Sequence, residues 1–278
     1  MRVTVLLDNN TLIDRYFCGE PGVSYFIEDE GKKILFDVGY SDVFIRNAQK
    51  MGIDLLNIDF LVLSHGHMDH TWGLDPLIRA YTEAAIEKID HKRPAVIAHP
   101  LTFLTKTKNG LGEIGSMISK KKLSEHFRIR LSKDPVWLTE RIVFLGEIER
   151  NNNFEAKIPI GKVKANYLED DYLMEDSALA YRSSEGLVII TGCSHAGICN
   201  IVEHAKRICG EDRIVDIVGG LHLLDPSEEQ MRGTLDYMKK LQPPEVHACH
   251  CTDLNSKIAL SRVVNLREVG VGLKLEYK

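Results

Sequence analysis

Short apolar runs separated by turn residues dominate the first part of the chain and predict β-strands. Three such runs occupy residues 3–7, 23–27 and 33–37. Residues 41–51 instead carry apolar side chains at helical spacing, and Gly52 follows as a stop signal. The continuous apolar run 59–64 predicts a strand that is buried on both faces.

Predicted strands and helices alternate through the second half of the chain. The strands are predicted at residues 187–191, 212–218 and 245–249, and the helices at 197–209 and 227–241. Ser227 is the expected N-cap of the last of these helices, with acidic residues in the first turn. Further upstream, residues 77–89 predict a helix and 95–98 a strand. This alternation predicts an α/β fold.

The periodicity weakens between residues 105 and 174. This region contains the basic run 120–122 and one strand-like segment, 141–145. We interpret it as an insertion that forms a lid or a small subdomain. The rest of residues 1–278 is expected to form one large domain around it.

Composition excludes several classes of protein. Hydrophobic residues make up 44% and charged residues 27% of the 278 positions, which is the balance of a globular chain with a sizeable core. The formal charge of −5 gives no support for a nucleic-acid surface, and no apolar run predicts a membrane span. Six sparse cysteines and an N-terminus without a signal-peptide pattern predict a reduced cytoplasmic enzyme, and leave its oligomeric state open.

A cluster of candidate metal ligands follows the buried run 59–64. The sequence His-Gly-His-Met-Asp-His supplies four of them, at His65, His67, Asp69 and His70. Ligands in α/β folds gather at the carboxyl ends of buried strands, so this position favours a metal site over a histidine-rich solvated loop. Imidazole nitrogens and carboxylate oxygens suit zinc, iron or manganese.

Other histidines follow the ends of predicted strands. They are His99, His195, His222 and His250. His99 and His222 are interpreted either as structural residues or as contacts to the substrate, and His222 is favoured because Gly219 and Gly220 allow a close backbone approach. Cys249 and Cys251 flank His250 and are expected to pack, with a thiolate ligand or a redox pair as the alternatives. The remaining histidines, at positions 91, 126, 204 and 247, are interpreted as structural.

The HxHxDH motif at the end of a buried strand resembles the metallo-β-lactamase superfamily, which implies a four-layer αββα sandwich. The segments TGCSHAGI, GGLH and HCT resemble, more narrowly, the branch named for 7,8-dihydropterin-6-methyl-4-(β-D-ribofuranosyl)aminobenzene-5′-phosphate synthase. The resemblance covers most of the chain, from the segment Phe-Asp-Val-Gly at residues 36–39 to the final histidine.

The resemblance implies two divalent metal ions, with zinc expected and iron or manganese as alternatives. His65 and His67 would bind the first ion, and Asp69, His70 and His250 would bind the second. Cys193 stands where the superfamily usually supplies a bridging aspartate. We therefore predict that His195 completes the first site, with Cys193 as the alternative ligand. Asp37 is expected to orient a ligand histidine from behind.

These residues predict a hydrolase that uses a metal-activated hydroxide on a small-molecule substrate. A phosphoester or phosphodiester is the first hypothesis for that substrate, and an ester, thioester or lactone is the second. Asp69 and His222 are the predicted catalytic residues. Two hypotheses from other classes are a di-iron oxidoreductase, whose relatives carry an attached flavin domain, and a non-catalytic metal-binding module.

Overall fold

A computed structural model describes all residues from 1 to 278. Its strands are β1 (Arg2–Leu7), β2 (Ser24–Asp29), β3 (Lys32–Phe36), β4 (Phe60–Val62), β5 (Ala95–Ala98), β6 (Thr105–Lys108), β7 (Leu111–Glu113), β8 (Arg128–Leu131), β9 (Val136–Trp137), β10 (Ile142–Phe144), β11 (Gly161–Lys164), β12 (Leu168–Asp171), β13 (Ala178–Arg182), β14 (Leu187–Thr191), β15 (Ile214–Gly220), β16 (Glu245–Cys249) and β17 (Lys274–Glu276). Its α-helices are α1 (Val43–Lys50), α2 (Met68–Thr71), α3 (Leu74–Ile86), α4 (Lys120–His126), α5 (Ile198–Cys209), α6 (Glu228–Leu241) and α7 (Leu254–Leu260), and a 3₁₀ turn spans Leu55–Asn57.

Two large mixed sheets carry the fold. The first has the strand order β17-β1-β2-β3-β4-β5-β8, and the second has the order β16-β15-β14-β13-β10-β9. Each sheet contains a parallel block, β3-β4-β5-β8 in the first and β14-β15-β16 in the second. The helical crossovers between these parallel strands explain why strands and helices alternate in the sequence.

Three buried apolar clusters separate the layers. One lies between the sheets and joins Tyr25 and Phe36 of the first sheet to Phe144 and Ile190 of the second. Another packs the outer face of the first sheet against α1, α3 and α4. The last packs the second sheet against α5, α6 and α7. The layers therefore follow the order helix, sheet, sheet, helix, which confirms the predicted αββα architecture.

Residues 105–174 contribute strands to all three sheets of the protein. Strands β6, β7, β11 and β12 form a separate small sheet in the order β12-β11-β6-β7. Within the same region, β8 joins the first large sheet, whereas β9 and β10 join the second. Only the four strands of the small sheet lie outside the large sheets, and an insertion that acts as a lid or subdomain stays a prediction.

Predicted elements of the large sheets lie close to the observed ones. β15 runs through Gly220, two residues beyond the predicted end at 218, because Gly219 and Gly220 pair with Ala248 and Cys249 of β16. Ser227 caps α6 as expected, since its hydroxyl accepts a hydrogen bond from the N–H of Gln230 at 3.1 Å. No helix combines the length and the apolar character that crossing a membrane requires.

Candidate metal centre

The predicted ligands meet at one edge of the two large sheets, where parallel strands end. His65 follows β4, His67 precedes α2, and Asp69 and His70 lie within α2. From the second sheet, Cys193 and His195 follow β14, His222 follows β15 and His250 follows β16. Side chains far apart in the sequence thus converge because parallel strands of a sheet point their carboxyl ends the same way.

The first group consists of His65, His67 and His195, whose ligand atoms lie within 4.8 Å of one another. Nε2 of His65, Nε2 of His67 and both ring nitrogens of His195 are buried and have no hydrogen-bond partner. Burial lowers the pKa of His67 to about 3 and lowers the pKa of His65 and of His195 well below the ordinary value. The rings are therefore neutral, and their free lone pairs are available to a cation.

A hydrogen-bonded chain behind the site fixes two of the ligand rings. The carboxylate of Asp37 accepts hydrogen bonds from the Ser64 hydroxyl at 2.6 Å and from Nδ1 of His70 at 2.7 Å. Because the Ser64 hydroxyl donates to Asp37, its oxygen accepts from Nδ1 of His65 at 2.8 Å. Each imidazole carries a proton on Nδ1 in this arrangement and turns its Nε2 toward the site.

The second group consists of Asp69, His70 and His250, also within 4.8 Å of one another. Nδ1 of His250 donates to Oδ1 of Asn9 at 2.9 Å, so the Nε2 lone pair of this ring faces Nε2 of His70 at 3.3 Å. Two ring nitrogens at this distance need a proton or a metal ion between them. Burial opposes a charged ring, yet Asp69 and Asp37 raise the pKa of His70 to about 9.

Cys193 lies beside the second group. Its Sγ is 3.2 Å from Nε2 of His70 and 3.2 Å from Nε2 of His250. His195, two residues later, belongs to the first group instead. The two residues therefore occupy different positions in the site and do not compete for one position.

The donor set fits divalent metal ions. Unpartnered imidazole nitrogens, one carboxylate and the two thiols of Cys193 and Cys251 surround the site, and these are the ligand types of zinc and of the first-row transition metals. The approach of the Nε2 atoms of His70 and His250 and the raised pKa of His70 are further signs of a place that attracts positive charge.

Several site residues adopt left-handed backbone conformations. The φ angles are 55° at Asp37, 63° at Ser194, 50° at His222 and 49° at His250. Non-glycine residues in this region carry a strain of about 1–3 kcal/mol and cluster at functional sites. At His250, the side chain of Asp8 offsets part of this strain by accepting the backbone N–H at 3.0 Å.

His222 lies next to the first group and lines a cavity. Its ring centroid is 4.2 Å from that of His195, and both residues border a cavity of about 420 Å³. Its backbone carbonyl accepts a hydrogen bond from the Gln230 side chain at 3.2 Å. Burial lowers the pKa of His222, but contact with Cys251 outweighs this and leaves the pKa above the ordinary value.

His99 is bound by residues other than the predicted ligands. Its Nε2 lies 3.1 Å from a carboxylate oxygen of Glu147, and its Nδ1 accepts the N–H of Leu101. It belongs to neither group of ligand atoms. Of the two interpretations of this residue, a structural histidine agrees with these contacts.

Sequence reasoning missed three features around the site. One is Asp176, whose Oδ1 lies 3.9 Å from Nδ1 of His65, and another is Asn9 behind His250. The third is Lys106, which is fully buried and contacts Asp171 and Glu175 at 2.7 Å each. The side chain of Lys106 packs on Gly66, where an added Cβ would lie 2.9 Å from its Cε and 2.4 Å from the carbonyl oxygen of Thr102.

Comparisons with known proteins agree with this geometry. A sequence model of the metallo-β-lactamase superfamily matches residues 19–250. A curated relative from Methanocaldococcus jannaschii is named 7,8-dihydropterin-6-methyl-4-(β-D-ribofuranosyl)-aminobenzene-5′-phosphate synthase. It is 32% identical over 255 residues, which are 87% of this chain and 84% of that protein.

Among solved structures, Tm1679, described as a metal-dependent hydrolase of the β-lactamase superfamily, has a TM-score of 0.83 to this chain. It is 29% identical, and the match covers 100% of this chain and 99% of the other. YhfI from Bacillus subtilis has a TM-score of 0.59 at 11% identity, with 99% and 98% of the two chains covered, and supports the fold alone. From the matched residues and the full-length relative, this chain belongs to the metallo-β-lactamase superfamily.

Proposed function

We propose that this protein is a hydrolase that uses two divalent metal ions to cleave a small phosphoester or phosphodiester. The observation that carries the proposal is the pair of adjacent ligand groups, one built from buried unpartnered imidazoles and one from Asp69, His70 and His250. The first group borders, through His195, a cavity of about 420 Å³ that is large enough for a small molecule.

Different residues of the chain would hold the two ions. His65, His67 and His195 would hold one ion, while Asp69, His70, Cys193 and His250 would hold the other. When bound, such ions supply hydroxide at neutral pH by lowering the pKa of water, and they polarise the oxygen that is attacked. We expect zinc, with iron and manganese as alternatives.

Two further side chains suit the chemistry of hydrolysis. Burial opposes ionisation of Asp69, but His70 and His250 hold the pKa of its carboxyl well below the ordinary value, so that it stays negative beside the ions. His222, whose pKa is raised, borders both the first ligand group and the cavity. From that position it would donate a proton to the leaving oxygen of the substrate.

The choice of a phosphoester rests on two arguments. Paired metal ions suit the in-line displacement of phosphoryl groups. The Methanocaldococcus relative is named for a phosphorylated product, although it is named as a synthase. The same water would attack an ester, thioester or lactone, and this remains the second hypothesis. A cytoplasmic location also stays a prediction.

Replacing one ligand tests the proposal. We expect His67→Ala to lower metal content and to abolish turnover of bis(4-nitrophenyl) phosphate, because the first group loses one of its three nitrogens. Metal is measured by elemental analysis of protein purified without added metal. His126→Ala is the control, since His126 is an exposed residue at the end of α4.

Full turnover by folded His67→Ala protein would contradict the assignment of the site. Absence of turnover by the wild type on phosphodiesters and carboxylic esters, after loading with zinc, manganese or iron, would instead favour a metal-binding module.

A further inference from the structure

The cavity beside the first ligand group has walls of a distinct character. It measures about 420 Å³, and His195 and His222 form part of its lining. The segment after β10 contributes Phe154, Ile158 and Ile160 to the walls, and the segment after β15 contributes Leu224. Apolar side chains from two separate parts of the chain therefore face one opening next to the candidate metal centre.

Large apolar side chains at this opening remain exposed. Ile158 is 73% exposed, Leu224 is 68% exposed and Tyr172 is 41% exposed. Apolar surface in water is unfavourable by about 25 cal/mol per Å². A concentration of such side chains around one concave opening is typical of a ligand-binding site.

The charges in the cavity argue against a highly charged ligand group. Lys157 is the only lysine or arginine among the lining residues and His222 can hold a further proton, while Asp225 and Glu229 supply two negative charges. The lining therefore has no excess of positive charge with which to bind a polyphosphate chain or a second anionic group. The polar remainder, which includes Ser227 and Gln230, can hydrogen-bond a neutral group.

We propose that this cavity binds an uncharged, ring-sized apolar group of the substrate, so that the natural substrate is a phosphoester of an aryl or comparably apolar alcohol. This inference rests on the proposed function, because it assigns the phosphoryl end of the substrate to the metal centre. Ile158 and Leu224 are then specificity-determining residues, since they contact the apolar group of the substrate and do not bind the metal ions.

Equilibrium binding tests the inference independently of catalysis. The probes are 1-naphthyl phosphate and methyl phosphate, each titrated calorimetrically into zinc-loaded protein. We expect 1-naphthyl phosphate to bind at least about tenfold more tightly, because its rings bury apolar surface that a methyl group lacks.

A matched pair of variants locates the effect. Ile158→Ser is expected to weaken binding of 1-naphthyl phosphate about threefold or more and to leave binding of methyl phosphate unchanged. Ile86→Ser is the control, because Ile86 is 71% exposed at the end of α3 and lies outside the cavity lining. It should change neither affinity.

The two proposals fail in different ways. Equal affinities for the two phosphates, no measurable binding of 1-naphthyl phosphate, or equal effects of Ile158→Ser and Ile86→Ser would each overturn the aryl-group inference. A preference for the naphthyl ester without turnover of either ester or of bis(4-nitrophenyl) phosphate would support the inference and contradict the hydrolase proposal.

Discussion

Both carboxylate oxygens of Asp37 accept hydrogen bonds from residues of the metal centre. One oxygen accepts the backbone N–H of Ser64 at 2.7 Å, and the other accepts the Ser64 hydroxyl and Nδ1 of His70. The orientation of two imidazoles, those of His65 and His70, therefore depends on this one carboxylate. Such partners tune metal affinity even though they never touch the ion.

Replacing Asp37 by asparagine removes one acceptor from this chain. We expect Asp37→Asn to weaken metal binding by about 10- to 100-fold, because an amide nitrogen cannot accept from both Ser64 and His70. A competition titration with a chromophoric zinc chelator measures the affinity. Asp42→Asn is the matched control, since the Asp42 side chain is 55% exposed and pairs with Arg46. Equal affinities of the two variants would contradict this role of Asp37.

Which site residues the sequence predicts depends on their neighbours in the chain. His65, His67, Asp69 and His70 form one motif after one strand, so their spacing alone indicates a metal site. Asn9 and His250 are separated by 241 positions in the sequence, and no local sequence pattern predicts their contact. Lys106 likewise resembles any lysine of a polar strand until the fold buries it between Asp171 and Glu175.

At the scale of elements, α5 illustrates how a helix holds a ligand. It begins at Ile198, three residues after His195. Its apolar stripe at 198, 202, 205 and 209 belongs to the buried cluster between the second large sheet and α5, α6 and α7. No side chain at its own N-cap position satisfies the first turn. Glu155 does so from a distant loop, because its carboxylate accepts the N–H groups of Cys199 and Asn200 at 3.0 and 3.1 Å.

Removing the Glu155 carboxylate tests how much this cap of α5 contributes to stability. We expect Glu155→Ala to lower the free energy of unfolding by about 1–3 kcal/mol, because two buried N–H groups lose their acceptor. Urea unfolding followed by circular dichroism measures it. Glu149→Ala provides the comparison, since the ion pair of Glu149 with Arg207 is exposed and contributes at most about 1 kcal/mol. A smaller loss at Glu155 than at Glu149 would refute the capping role.

Elements with strong periodicity were predictable, and the small sheet was not. Helices such as α5 bury an apolar stripe, and strands such as β14 are apolar throughout, so their patterns are visible in the sequence. Strands β6, β11 and β12 are short and polar, and β11 pairs with β6 across more than 50 residues. Their stability comes from tertiary contacts such as the buried Lys106, which sequence periodicity does not record.

At the scale of the whole molecule, buried neutral histidines link stability to pH. His204 lies on the inner face of α5, where its Nδ1 accepts the N–H of Glu149 and its Nε2 contacts the Leu145 carbonyl at 3.3 Å each. Burial lowers the pKa of His204 below its ordinary value of 6.5. The unfolded chain therefore takes up this proton first, so the contribution of His204 to stability is present above about pH 6.5 and is lost as the pH falls.

This linkage predicts that the free energy of unfolding depends more steeply on pH in the wild type than in His204→Gln. Between pH 7 and pH 5, we expect the wild type to lose more of its free energy of unfolding than His204→Gln, because glutamine takes up no proton. Urea titrations at a series of pH values, on metal-free samples of both, provide the comparison. Parallel pH profiles would show that His204 does not contribute to the acid sensitivity of the fold.

The two large sheets each supply part of the ligand set, and this division has a mechanical consequence. His65 and His70 come from the first sheet, whereas Cys193 and His250 come from the second, with sulfur and nitrogen atoms 3.2–3.3 Å apart across the junction. Ions bound there would act as cross-links between the two halves of the sandwich. The halves could then separate only by breaking metal–ligand bonds, so the loaded protein should resist unfolding for longer than the apoprotein.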